Sequence, residues 1–286
     1  MSGTGEQNAR ALAELRERID TIDAEMHRLL IERGQVIDEL IHVKGTSRPG
    51  AAFRPGREAD MMRRMVARHS SVLPLITVEH LWREIITTFT RMQAPFDVAF
   101  DNSVAPERMR DVARFTFGFS VSLVPLPNAG AVVAHVSDSN DLGLVAVDAG
   151  AEAGAWWRGL ARPGAPRIMA LLPHIGAAGR PADLPAFVIS PALSDPTPPD
   201  IRILAVSSRS PYKPPRDSLV LASVEADGKH EALVAAPAAR DAAGLAAEAM
   251  GRVESVSEVG GIARGIAVDG EPSLLYQKPL QADERR

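Results

Sequence analysis

The sequence predicts a multi-domain protein: an all-α domain of three helices over residues 8–95, followed by an α/β domain over residues 96–286. Three observations carry that reading. Apolar residues recur in steps of three and four from Leu12 to Val43, the period of a helix that packs along a seam. A break with prolines and glycines at Gly45–Pro55 and a turn at Ser70–Leu75 then divide the first hundred residues into three helical stretches. Beyond Pro95 the chain changes to short apolar runs alternating with helical stretches, the pattern of an α/β domain. At 286 residues the chain has length enough for both.

Met1–Asn8 is small and polar and is expected to fray. The long helix follows, with Leu12, Leu15, Ile19, Ile22, Met26, Leu29, Val36, Leu40 and Val43 on its seam, and Gly45 suits its C-terminal cap. One seam position is charged: Arg33 stands between Leu29 and Val36. A guanidinium on an apolar line needs a partner, because an unpaired buried charge costs several kcal/mol. It either snorkels or pairs with a neighbouring carboxylate, or it meets an anionic ligand. Pro55 can open the second helix, whose apolar face is Met61, Met62, Met65 and Val66. Thr77 is a plausible N-cap for the third, with Val78, Leu81, Trp82, Ile85, Ile86, Phe89 and Met92 as its core stripe and Gln93 a polar continuation of it.

In the second domain the expected strands are Val98–Phe100, Val121–Leu126, Ala131–Val136, Leu142–Val147, Ile168–Leu172, Ala186–Ile189, Ile203–Val206, Leu219–Val224, Leu233–Ala235 and Leu274–Tyr276. Helices are expected at Pro106–Arg114, Glu152–Leu160 and Arg240–Met250, with linkers at Ser194–Asp200 and Pro211–Pro215 that could divide the domain into two lobes. Gly260–Gly265 is glycine-rich, fails G-x-G-x-x-G, and reads as a turn.

The composition excludes several classes. There is no cysteine, so thiolate metal sites, disulfides and cysteine nucleophiles are out, in keeping with a cytoplasmic protein. A net charge of −4 gives no footprint for nucleic acid, and no run is long and apolar enough to span a bilayer. The start lacks the apolar core of a secretory signal. G-x-S-x-G, P-loop and H-E-x-x-H signatures are missing and the histidines lack ligand spacing, so no metal or cofactor is expected.

The helical segment instead carries cations and polar groups in an anomalous set. Arg33 and Lys44, eleven residues apart, share a helix face about 16 Å apart along the axis. Arg57 and Glu58 open the second helix. Each alone reads as a solvated surface charge. Together with Arg16, Arg33 and Gln93 they look like the lining of an anion pocket in a helical bundle.

The pieces L-R-E-R-I-D-T-I-D at Leu15–Asp23, L-L-I-E-R at Leu29–Arg33, V-K at Val43–Lys44, R-P-G-R-E-A at Arg54–Ala59 and R-E-I-I at Arg83–Ile86, leading to Gln93, resemble the all-helical chorismate mutase family. The resemblance implies that Arg16 and Arg33 hold the two carboxylates of chorismate with Arg57 nearby, that Lys44 and Gln93 address the ether oxygen, and that Glu58 addresses the ring hydroxyl. Arg54 stands where some members have aspartate, and Phe89 where some have serine. The second domain resembles a prephenate dehydratase-like region in which the Thr-Arg-Phe signature falls on Pro185, Ala186 and Phe187, with room for a degenerate regulatory tail. The implied function is a mutase converting chorismate to prephenate, with a non-catalytic second domain. Arg16 and Arg33 are about 25 Å apart on one rod. Both can serve one small molecule only across an intertwined homodimer with shared sites. The other readings are a bifunctional mutase–dehydratase and a non-catalytic helical dimerisation module on a ligand-binding domain.

Overall fold

The structure is a computed structural model that describes residues 2–44, 53–149, 153–193, 197–248 and 253–280. The expected Gly45 cap, most of the Gly45–Pro55 loop, Glu152, residues 194–196 of the first expected linker and the last two residues of the Arg240–Met250 helix lie outside the described residues. The chain divides into two compact units, Met1–Ser47 and Arg48–Arg286.

The first unit is one helix, α1 (Ser2–Lys44), of 43 residues and about 64 Å. It begins at Ser2, inside the Met1–Asn8 segment expected to fray, so that polar N-terminus is helical. Gly3 and Gly5 each weaken a helix by about 1 kcal/mol, but extending an existing helix adds one hydrogen bond per residue fixed. Ion pairs lace the surface, Arg10 with Glu14 at 3.3 Å and Arg28 with Glu25 and Glu32 at 2.7 and 2.8 Å. From Leu12 to Val36 the apolar seam is about half exposed, from 49% at Leu29 to 57% at Ile22, while Leu40 is half-buried and Val43 exposed.

In the second unit, α2 (Pro55–Arg68) starts with proline in its first turn, where a missing N–H costs nothing. α3 (Leu75–Gln93) follows Pro74 rather than a Thr77 cap. The expected stripe of α3 is only partly buried, and Leu81 and Met92 are exposed. Its buried face is Glu79, Arg83, Ile86, Thr87 and Thr90. Charged groups win that face because each carboxylate and guanidinium on it finds an opposite charge. Met62, Met65, Val66 and Ile86 form a core with Ile175 and Ile266 of the sheet-rich part.

Among the described residues twelve strands follow in two sheets. The nine-stranded sheet has the order β2-β1-β3-β6-β4-β10-β7-β9-β8, and the small one β12-β11-β5. β1 (Val98–Asp101), β2 (Leu123–Leu126) and β3 (Leu142–Ala146) are parallel, joined by α4 (Pro106–Phe117) and α5 (Ala129–Asp138). Alternate residues feed opposite faces. Val98, Phe100, Leu142 and Leu144 pack with Met109, Val112 and Phe117 of α4. Ala99 and Val145 pack with Val132, Val133 and Val136 of α5 and with Trp156, Trp157 and Leu160. Gly118, at φ +71°, ends α4 where a Cβ would collide with the Glu84 carboxylate of α3. β4 (Arg167–Leu172), β5 (Ile175–Gly176) and β6 (Ala186–Ser190) come next, with β6 antiparallel to both β3 and β4.

The rest of the large sheet is antiparallel: β7 (Ile201–Ser208), β8 (Leu219–Ala226), β9 (Lys229–Pro237) and β10 (Val253–Ile262). It joins the first half through a single parallel pair, Gly260 with Ile168, where any Cβ on residue 260 would strike the Ile168 carbonyl. α6 (Ala242–Glu248) covers one face through Leu245. β11 (Gly265–Ala267) and β12 (Tyr276–Gln277) complete the small sheet.

Several expectations are corrected. Ala131–Val136 is not a strand but the middle of α5, because the Asn128 side chain caps the helix by accepting from Ala131 N–H at 2.9 Å. Trp156–Ala161 is a 3-10 helix where Glu152–Leu160 was expected to be α-helical. Gly260–Ile262 ends β10 and Gly265 opens β11, so the glycine-rich segment is largely strand. The expected linkers do not separate two lobes, since β6, β7 and β8 belong to one sheet.

Candidate active site

On α1, Arg16 is exposed and Arg33 half-buried, and Lys44 is the last helical residue. In the second unit, Arg57 and Glu58 occupy the first turn of α2, which follows from proline starting the helix two residues earlier. Arg57 is exposed. Glu58 is not: its Oε2 accepts from Arg83 Nη1 at 2.9 Å, with side-chain exposures of 16% and 8%. Burial pushes the Glu58 carboxyl above its ordinary range, and Arg83 opposes that shift. Gln93 ends α3 half-buried, its Nε2 donating to Phe89 O at 2.9 Å. The structure thus brings Glu58 against Arg83, a residue ten positions and about 15 Å along α3 from Gln93. Arg54, also half-buried, accepts the Glu58 N–H through its carbonyl at 3.0 Å.

Sequence reasoning missed the charged cluster around this pair. Glu79, one turn before Arg83 on α3, pairs with Arg180 at 3.2 Å. Arg180 also lies 4.9 Å from the Phe115 ring centroid of α4 and donates to Ile175 O. Burial drives the Glu79 carboxyl upward, against the pull of Arg180 and Arg83. His174 is buried, and its Nε2 has no hydrogen-bond partner among the described residues. Burial, with Arg83 and Arg63 adding to it, pushes the imidazole down to about 3, so it is neutral. Glu58, Arg83, His174 and Thr116 line one narrow cavity floored by Met169, Leu171 and Val188. The signal available in the sequence was the i, i+4 spacing of Glu79 and Arg83, which reads equally as a surface ion pair.

Comparison with known proteins places the helical segment. Residues 15–94 match the family model chorismate mutase type II. That span includes all six expected site residues of the chorismate mutase reading. The chain is therefore multi-domain, with a chorismate mutase type II region at the helical N-terminal end and a mixed α/β, sheet-rich region after it. It is similar to the bifunctional chorismate mutase/prephenate dehydratase of Neisseria gonorrhoeae (strain ATCC 700825 / FA 1090), 39% identical over 85 residues, or 30% of this chain and 23% of the relative. Proteins of the same description from Stutzerimonas stutzeri and Aquifex aeolicus (strain VF5) are 30% and 28% identical over 122 and 142 residues, covering 41% and 48% of this chain. These two matches run longer than the mutase segment, yet span only 33% and 39% of the relatives. No solved structure matches the chain.

Among the described residues no helix is long and apolar enough to cross a membrane, and no three His, Asp or Glu side chains are grouped to hold a metal ion.

Proposed function

We propose that this protein is a chorismate mutase of aromatic amino acid biosynthesis, acting in the cytoplasm, with a sheet-rich region that is not a dehydratase. The observation that carries the reading is the family match over residues 15–94, with Arg16, Arg33, Lys44, Arg57, Glu58 and Gln93 all inside it. Conversion of chorismate to prephenate is an intramolecular rearrangement, so catalysis requires only that the substrate be folded into its reactive conformer and that charge growing on the ether oxygen be stabilised. Arg16, Arg33 and Arg57 suit the first task as carboxylate clamps. Lys44 and the Gln93 amide suit the second, and Glu58 the ring hydroxyl. Domain boundaries at 8–95 and 96–286 belong to this reading.

The protein is proposed to work as a homodimer with shared sites. Two apolar stripes support that: the α1 seam is about half exposed from Leu12 to Val36, and α3 presents Leu81 and Met92 to solvent. Covering such a rod with its own copy removes the largest apolar surface of the helical region from water. The test of the activity is the loss of chorismate ultraviolet absorbance on adding purified protein, and an unchanged absorbance refutes the mutase.

The relatives' printed description favours a bifunctional enzyme, but the Thr-Arg-Phe positions argue otherwise. They hold Pro185, Ala186 and Phe187, and the last two are fully buried in β6. Neither side chain can donate, accept or carry charge. Incubation with prephenate is expected to give no phenylpyruvate above the spontaneous rate, and formation beyond that rate restores the bifunctional reading.

A further inference from the structure

We propose that Arg83 is a positioning residue for Glu58, and that Glu79 and Arg180 lock it in place, so that the sheet-rich region sets the geometry of a mutase residue on α2. This rests on the mutase reading. The four side chains alternate in sign from the loop after β5 to the first turn of α2. Arg180 meets Glu79 at 3.2 Å, Glu79 and Arg83 lie one turn apart on α3, and Arg83 meets Glu58 at 2.9 Å. Three of them have side-chain exposures of 8% or less, and Glu58, at the outer end, 16%.

Burial gives this order its force. A carboxylate in a dry setting keeps its charge and direction only while a cation holds it. Among the described residues Arg83 is the sole ionic partner of Glu58, and it engages one carboxylate oxygen, Oε2. The carboxylate so held is the group that the mutase reading assigns to the ring hydroxyl of chorismate. On α3 the Glu79 charge stands one turn from Arg83 and is paired with Arg180, which is packed on Phe115 and bonded to the Ile175 carbonyl. Arg180 belongs to the β5–β6 loop, so the outermost anchor of the series lies in the sheet-rich region.

The test uses the full-length protein and steady-state chorismate turnover on variants shown to be folded by circular dichroism. Arg83→Gln is expected to lower kcat/KM about tenfold, and Arg180→Gln two- to threefold. In a Glu58→Gln background the Arg83→Gln change should cost almost nothing further, because the group it orients is already neutral. A purely structural loss would instead multiply in both backgrounds, and that result overturns the proposal. So does a folded Arg83→Gln variant with native turnover. Should Arg83→Gln fail to fold, Arg83→Lys carries the same cycle: it keeps the charge without the planar fork, so an intermediate loss that vanishes beside Glu58→Gln is expected, and a loss of equal factor in both backgrounds refutes positioning. A wild-type protein with no mutase activity overturns the function reading itself, an outcome distinct from an active wild type with multiplicative losses.

Discussion

The Arg180 guanidinium and the Glu79 carboxylate lie 3.2 Å apart with 3% of either side chain exposed. Removing one partner strands the other in a dry setting, which costs about 3–5 kcal/mol, whereas replacing both by apolar groups is often neutral. Arg180→Met is therefore expected to lower the urea midpoint strongly, and Arg180→Met with Glu79→Leu to recover much of that loss. Equal and additive losses would show that the pair contributes through packing alone.

His174 gives a pH dependence with a definite sign. In the fold its imidazole titrates at about 3, against an ordinary 6.5, because burial and the Arg83 and Arg63 cations oppose a charge there. The unfolded chain takes up that proton first, so the stability that His174 contributes is present above pH 6.5 and is lost as pH falls from there toward 3. Between pH 6.5 and 5 the loss is about 2 kcal/mol. Glu58 and Glu79, both raised by burial, act in the opposite direction, gaining stability as pH falls through their folded values toward 4.5. Comparing the wild type with His174→Gln isolates the histidine: the difference in unfolding free energy should shift by about 2 kcal/mol in favour of the variant over that range. A difference independent of pH would mean that His174 is not held neutral.

Lys44→Ala and Arg33→Ala should each abolish most mutase turnover while leaving helicity intact. Losing a charge aimed at the transition state costs about 3 kcal/mol, a factor of hundreds. Near-native rates in either folded variant would remove that residue from the site.

Shared sites can be tested by mixing. Arg16→Ala and Arg33→Ala, each inactive alone, are unfolded and refolded together. In a mixed dimer one site lacks both arginines and the other has both, so random pairing restores about a quarter of the sites. A mixture as inactive as its parents, although mixed dimers form, refutes sharing.

The helical region was legible because its seam repeats over nine positions and one charged residue, Arg33, interrupts that repeat. α3 was harder. Its sequence offers an apolar stripe, yet Glu79, Arg83, Thr87 and Thr90 are the buried side, a choice made by partners on other elements that no local pattern contains. α5 was misread because Val132, Val133 and Val136 favour a strand in isolation, while the Asn128 cap and packing on both Trp156 and Trp157 make them helical. β10, the longest strand, was missed because its first half carries Glu254, Ser255, Ser257 and Glu258 on a wet edge and its second half two glycines. Of the candidate site, the residues of α1 and the start of α2 were visible as charge out of place. Arg83 carries no such signal by itself, since its pairing with Glu58 depends on how α2 and α3 pack.

The single Gly260–Ile168 pair gives the large sheet a seam one residue wide. To one side lie parallel strands with helical crossovers, and to the other an antiparallel panel whose four strands satisfy one another along their lengths. The side chains cross this seam where the ladder hardly does: Ile201, Ile203, Leu233, Val259 and Ile262 of the panel share one core with Trp156, Trp157, Ile168, Phe187 and Ile189, so the two halves are joined more by burial than by backbone pairing. The backbone pairing across it nonetheless needs glycine at 260, because a Cβ there would strike the Ile168 main chain.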